Sequence, residues 1–303
     1  MHSLRTIAIL LLLFTPPAVS GCRDSGIPDS AAAAQAQDPL VQLPNKEGTF
    51  KFGVLGDFGT GDRTQYQLAE QMGKTYDRFK YNTVILVGDN LYGSERPQDF
   101  EKKFERPYKK LLDSGVKFYA SLGNHDAREQ RYYKLFNMDG NLYYTFSPKA
   151  EVRFFALEST YMVPEQLAWL EKELKTSGSH WKIVFFHHPL YSSGERHGSN
   201  LKLREVLEPL FLKYNVSLVL QGHDHFYERL KPQKGIHYIT QGGAAKLRAG
   251  NIRRNSPMTA HGFDTDNSFT LVEIVDDHMF VETISRRGAI VDSSIIPRRE
   301  LED

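Results

Sequence analysis

At 303 residues, 40% hydrophobic and 25% charged, the chain is long enough for one large α/β domain with a complete core, so a second domain is not required. Its 38 basic and 37 acidic residues leave a formal charge of +1, which excludes a global field drawing the protein to nucleic acid or to an anionic membrane. The single cysteine, Cys22, excludes a disulfide within the monomer.

From the N-terminus, Arg5, the apolar stretch 7–14 and the small residues Ala18, Ser20 and Gly21 read as an export signal over 1–21, too short to span a bilayer comfortably. Cys22 falls where this signal ends, and the run Val19, Ser20, Gly21, Cys22 resembles the lipobox of bacterial lipoproteins. That resemblance implies a lipid on Cys22 and a place in the bacterial cell envelope, in the periplasm or at the surface. Cleavage after Ser20 with simple secretion is the alternative. Residues 22–47, rich in Ala, Gln, Ser, Asp and Pro without an apolar period, read as a flexible tether. The folded domain is expected over 48–303, with no internal repeat and no later spanning segment.

Within that domain, 50–55, 83–87, 116–122, 181–186 and 216–221 are short runs of Val, Ile, Leu and Phe expected as buried strands. Between them, 64–79, 100–112, 165–175 (entered through Pro164) and 201–214 carry helical patterns, and the alternation implies a largely parallel sheet. The later runs 237–240, 268–275, 279–285 and 289–295 read as strands joined by short turns, expected to form a second, more antiparallel sheet.

Each of the first five runs ends in a short polar motif: GDFG at 56–59, GDNLY at 88–92, GNHD at 123–126, FFHHP at 185–189 and GHDH at 222–225. The C-terminal edge of an open α/β sheet is where ligands bind, so the five motifs are expected to meet on one rim. Singly they are ordinary: an Asp after a strand caps turns and helices, and a Tyr packs or hydrogen-bonds. Jointly, and in order, they supply the Asp, Asn, Tyr and His that a pair of metal ions requires, and so read as a two-metal phosphoesterase centre.

The order of these motifs resembles that of the purple acid phosphatases, of the tartrate-resistant type 5-like kind, within the calcineurin-like metallophosphoesterases, over most of 48–299. The family fold is an α/β four-layer αββα sandwich with mixed sheets. Much of the superfamily begins with Asp-x-His; here the segment is Asp57, Phe58, Gly59, and Tyr92 is the replacement expected in purple acid phosphatases. A phenolate is an anionic oxygen donor that favours hard trivalent iron. The resemblance implies Fe(III) at Asp57, Tyr92 and His225, a bridging Asp89, and Fe(II), Zn(II) or Mn(II) at Asn124, His187 and His223. It also implies an acid phosphatase in which metal-bound hydroxide attacks a phosphate monoester, without a phosphoenzyme.

His125, beside Asn124, is the first candidate to position phosphate or act as general acid. His197 resembles a second outer histidine of the family, and is otherwise a solvated loop residue. His188 replaces an aromatic residue common there in the mammalian-like form and is expected to back the site rather than bind metal, because neighbouring strand residues face opposite ways. Asp126 and Asp224 either orient ligand histidines or cap turns.

The loops 191–200 and 242–254 are expected to select substrate. There Lys246, Arg248, Arg253 and Arg254 either receive further anionic groups or are solvated, and Gly242 and Gly243 suit tight backbone packing. A phosphodiesterase or nucleotide hydrolase on the same centre is the enzymatic alternative, and an inactive lipoprotein serving as a binding surface is the non-enzymatic one. The expected partner is a small phosphate ester, with no nucleic acid, membrane contact only through lipid on Cys22, and a monomeric state.

Overall fold

Runs of Val, Ile, Leu and Phe without polar alternation can be strands only if both faces are covered, and the fold covers both. The computed structural model describes residues 42–178 and 181–299. The segment expected to be an export signal, Cys22 and the expected tether as far as residue 41 lie outside them.

In chain order the elements are β1 (Phe50–Leu55), α1 (Arg63–Phe79), β2 (Thr83–Val87), α2 (Pro97–Phe100), α3 (Lys109–Asp113), β3 (Lys117–Ser121), β4 (Tyr144–Lys149), β5 (Val152–Ala156) and α4 (Pro164–Thr176). Then come β6 (Trp181–Phe185), α5 (Leu201–Lys213), β7 (Leu218–Gln221), β8 (Tyr227–Leu230), β9 (His237–Gln241), β10 (Thr259–Phe263), β11 (Ser268–Val275), β12 (His278–Ser285) and β13 (Ile290–Pro297).

They form two mixed sheets, ordered β13-β12-β11-β1-β2-β3 and β10-β8-β9-β7-β6-β5-β4. The strand period of two divides the apolar residues between layers. Phe52, Val54, Ile85 and Val87 face Phe154, Ile183, Phe185, Leu218 and Leu220 between the sheets. On the outer side of the first sheet, Leu55, Val84, Leu86 and Phe118 meet Leu68 and Met72 of α1. On the outer side of the second, Phe155, Val184 and Val219 meet Leu170 and Leu174 of α4 and Leu207 and Phe211 of α5. The result is helix, sheet, sheet, helix.

Three expectations are corrected. The five motif strands do not share a sheet: β1, β2 and β3 lie in the first, β6 and β7 in the second. Nor does the C-terminal part build its own sheet. β11 to β13 extend the first, with β11 antiparallel to β1 (Phe50 opposite Ile274), and β9 lies parallel to β7 in the second. A run buried on both faces fits either sheet, so periodicity alone could not divide them. The helix expected over 100–112 is broken into α2, a wider turn at Glu101–Glu105, and α3. Pro107 has no N–H to continue the ladder, and Arg106 N reaches back to Glu101 O.

The packed chain also begins upstream of Gly48. Leu43 is buried and its N–H donates to Glu282 Oε1 (2.7 Å), while the N–H groups of Asn45 and Lys46 donate to Glu273 (2.6 and 2.7 Å). These contacts run through backbone, so the polar composition of 42–47 gives no sign of them.

Candidate metal centre

The strands deliver their polar ends to the seam between the sheets. β1 leads to Asp57, β2 to Asp89 and Tyr92, and β3 to Asn124, while β6 leads to His187 and β7 to His223 and His225. Asp57, Asp89 and His223 are left-handed, with φ of 55°, 51° and 70°. L-residues adopt this conformation at a cost, and such strain concentrates at functional sites. The preceding glycines permit the close approach. A Cβ at Gly123 would fall 2.1 Å from Asp89 Oδ1, and one at Gly88, itself at φ +90°, would fall 2.7 Å from His187 Nδ1.

The seven residues form two half-sites that share one carboxylate. In the first, Tyr92 Oη lies 3.0 Å from Asp57 Oδ1, 2.9 Å from Asp89 Oδ2 and 3.4 Å from His225 Nε2, and His225 Nε2 lies 3.2 Å from Asp57 Oδ1. In the second, His187 Nε2 lies 3.4 Å from Asp89 Oδ1, 3.2 Å from Asn124 Oδ1 and 3.1 Å from His223 Nδ1. Asp89 turns one oxygen to each half.

This donor set fits a pair of cations. One phenolic proton cannot serve three acceptors around Tyr92 Oη, so lone pairs converge there in excess of hydrogens. His187 Nδ1 lies 3.0 Å from Val87 O, which places its proton on Nδ1 and leaves Nε2 free to bind a metal. Burial, then the charge of Asp89, pushes the Asp57 carboxyl well above its ordinary range; burial, then Asp57, does the same to the Tyr92 phenol. Burial also holds the imidazoles neutral: His187 well below its usual value, His223 at about 2 and His225 at about 4. Positive ions would relieve the crowded anions, and neutral imidazole is the ligand form.

The outer histidines stand over different halves. The His125 ring centroid is 5.0 Å from that of Tyr92, and His125 N donates to Asp89 Oδ1 (3.0 Å), so its side chain belongs over the first half rather than beside Asn124. The exposed His197 ring is 4.3 Å from His223 and lines a cavity of about 460 Å³ with His188, Arg196, Lys202 and His223.

His188 does not turn away from the site as strand alternation suggested, because β6 ends at Phe185. Its ring lies 4.5 Å from His223, and its Nδ1 is 3.0 Å from Ser159 Oγ. Neither candidate aspartate contacts a ligand histidine by hydrogen bond. Asp126 accepts from the N–H groups of Gly123, Asn90 and Leu91 (2.8, 3.0 and 3.0 Å), clamping the GNHD turn to the GDNLY turn. Asp224 accepts from Ser192 Oγ (2.5 Å) and Gly198 N (3.2 Å), which ties down the loop bearing His197.

Lys246 Nζ sits 4.7 Å from the Tyr92 ring centroid and Arg248 N donates to His225 O (2.9 Å). Arg253 and Arg254 are exposed, and no contact with the seven residues is seen for them. Gly242 serves packing: a Cβ there would fall 2.2 Å from Asp224 O.

Three contributors escape a motif reading. Arg196 and Lys202 line the cavity, and buried Glu228 accepts from Ser193 N (2.9 Å) and Thr259 Oγ1 (2.5 Å), pinning the 191–200 loop to β10. Arg196 had a visible cue in its place beside His197; Glu228 had none.

A model of the calcineurin-like phosphoesterase family matches residues 50–227. Among named proteins, purple acid phosphatase 17 of Arabidopsis thaliana is 30% identical over 250 residues, covering 70% of this chain and 73% of that one. Tartrate-resistant acid phosphatase type 5 of Oryctolagus cuniculus is 25% identical over 323 residues, covering 85% and 94%. Among solved structures, GAP50, the anchor in the inner membrane complex of Plasmodium, superposes with a TM-score of 0.72 at 18% identity, covering 83% of this chain and 90% of that one, a likeness of fold alone.

Proposed function

Because the chain belongs to the calcineurin-like phosphoesterase family, with purple acid phosphatases as its relatives, it is a phosphoric ester hydrolase, and we propose that it hydrolyses phosphate monoesters at an iron-containing metal pair. The observation that carries the ferric reading is Tyr92 Oη, set between Asp57, Asp89 and His225. In this reading Asp57, Tyr92 and His225 would hold Fe(III), Asn124, His187 and His223 would hold Fe(II), Zn(II) or Mn(II), and Asp89, which turns one oxygen to each half, would serve both. When bound, the ions neutralise phosphate charge and acidify the attacking water.

Hydrolysis breaks the bond between phosphorus and the leaving oxygen; water supplies a hydroxyl to phosphorus, and a proton must end on the leaving oxygen. His125 over Tyr92 and His197 over His223 are the imidazoles within reach of an ester seated on the seam, and they bind its oxygens and carry that proton. Ser159 and His188 back the second half, while Asp126 and Asp224 fix the turns that present the two outer histidines. The protein is exported and held in the envelope by lipid on Cys22, a reading that loss of acyl labelling in Cys22→Ser would support and unchanged labelling would sink.

Metal analysis with a visible spectrum tests the centre. The iron-loaded protein is expected to be coloured, to lose its tyrosinate-to-iron band in Tyr92→Phe, and to cleave nitrophenyl phosphate faster than bis-nitrophenyl phosphate at acidic pH. Colourless, iron-free and fully active protein would overturn the ferric assignment; preference for the diester would overturn the monoester one.

A further inference from the structure

The rim of the metal centre carries three cationic side chains, Arg196, Lys246 and Arg248, on two loops. Arg196 lies on the loop that also bears His197, and Lys246 and Arg248 lie on the loop after β9. The two loops are joined: Glu195 N donates to Asn251 O (2.9 Å), Arg253 N donates to Ser193 O (3.1 Å), and Gly194 pairs with Ile252 as a β-bridge.

The cations are built onto the ligands themselves. Lys246 N donates to Asp57 O (3.0 Å) and its ammonium covers the Tyr92 ring, while Arg248 is tied through its own N–H to His225 O. Nη1 of Arg248 is buried and has no hydrogen-bond partner.

Burial, then the like charge of Arg196, holds the Arg248 guanidinium below its ordinary value, so the two arginines face each other's field. Among the described residues none of the three cations forms an ion pair, whereas Arg153, Arg229 and Arg286, in the body of the fold, each meet a carboxylate at 2.5 to 2.8 Å. Asp224 is the largest acidic influence on Arg248, yet the two form no ion pair: Asp224 Oδ2 is engaged by Ser192 and Gly198, and its Oδ1 is buried without a hydrogen-bond partner.

We propose that Arg248, with Lys246 and Arg196, is a second anion-binding subsite, and that the substrates of this centre are phosphate monoesters whose leaving group bears a further phosphate or carboxylate. This rests on the phosphatase reading. The scissile phosphate occupies the seam between the half-sites, and the second anion lies on the wall formed by the two joined loops, within the field of half-buried Arg248, Lys246 and Arg196.

The test compares 3-carboxyphenyl phosphate with its methyl ester, which keeps the shape and removes one charge, and with benzene-1,3-diyl bisphosphate, on the metal-loaded full chain at low ionic strength. Wild type is expected to favour the carboxylate or bisphosphate over the methyl ester by about tenfold in kcat/KM, the worth of one charge-assisted hydrogen bond. Whichever of the two is faster identifies the second group. The preference is expected to collapse towards one in Arg248→Gln, to recover partly in Arg248→Lys, and to persist in Arg253→Gln.

Calorimetry of 3-carboxyphenylphosphonate against its methyl ester reads the same preference in binding alone. Equal kcat/KM for the charged and neutral esters, with equal phosphonate affinities, would overturn the subsite and leave the phosphatase standing. Absence of all ester hydrolysis with a charge-dependent phosphonate affinity lost in Arg248→Gln would overturn the phosphatase reading and leave the subsite.

Discussion

The two sheets contribute different chemistry to one centre. The first, through the ends of β1, β2 and β3, supplies every oxygen donor: Asp57, Asp89, Tyr92 and Asn124. The second, through β6 and β7, supplies every nitrogen donor: His187, His223 and His225. The oxygen side holds all the negative charge, and Asp57 and Asp89 are buried; the nitrogen side is neutral and, at His223, opens on the cavity. Neither sheet can hold a metal pair alone, and contacts within the set cross the seam to join the two chemistries, among them His223 N to Asp57 Oδ2 at 3.0 Å and His187 Nε2 to Asn124 Oδ1 at 3.2 Å.

Asp89 tests the comparison most severely, since it alone faces both halves. Asp89→Ala is expected to lose both ions by metal analysis and to reduce kcat/KM by at least about 10³-fold, the several kcal/mol that metal-ion catalysis provides. Asn124→Ala, confined to the second half, should retain the first ion. Retention of both ions and of activity in Asp89→Ala would break the shared-carboxylate picture.

Next in size are the outer histidines. His125→Ala and His197→Ala are each expected to lower kcat by about 10²-fold with metal content unchanged, the scale of a lost proton donor or phosphate contact. Stopped-flow and steady-state rates at several pH values would show which of them removes the alkaline limb of the profile, where a proton donor is lost by deprotonation. An unaltered profile in His197→Ala would return that residue to the solvated loop.

Chelation of the metals should loosen the seam itself. At ligand concentrations near 100 times Kd, bound ions stabilise by about 2.7 kcal/mol, so calorimetric Tm should fall on the order of 5–10 °C in the apoprotein. A Tm indifferent to metal would show that the sheets are held by their shared Phe52, Phe154 and Phe185 core alone.

The smallest effect is expected from Gly123→Ala, whose Cβ would press on Asp89 from 2.1 Å. It should destabilise by about 1–3 kcal/mol in urea unfolding and weaken metal affinity in proportion, because the neighbour cannot yield without moving the Asp89 carboxylate.

The convergence of these side chains was legible because four of the five motifs open on a glycine and a polar residue at the end of a largely apolar run; 50–55 and 83–87 are strands with those bounds. The division between sheets was not, since Leu55 and Phe185 look alike in a sequence whichever sheet they line. β4 and β10 escaped because their residues are half-buried or exposed and carry no apolar run, and Pro148 lies within β4. The supports of the site were least visible. Asp126 acts on backbone N–H groups, Glu228 on a serine of a distant loop, and Arg248 through a nitrogen that lacks a partner, none of which has a pattern in the chain. The outer histidines were readable as residues but not as positions, for ring placement depends on where the turns are clamped.

The antiparallel pairing of β1 with β11 also sets an order of assembly. During synthesis β1, β2 and β3 emerge early and can pair with one another in parallel, yet the other edge of β1 stays open until residues 268–275 leave the ribosome. Until then an apolar strand in the middle of a future sheet presents unpaired backbone, the kind of edge that recruits a neighbouring chain. A nascent chain stopped before Ser268 therefore possesses all seven candidate ligands and still lacks the strand that closes its first sheet, so its hazard is aggregation rather than a missing functional group.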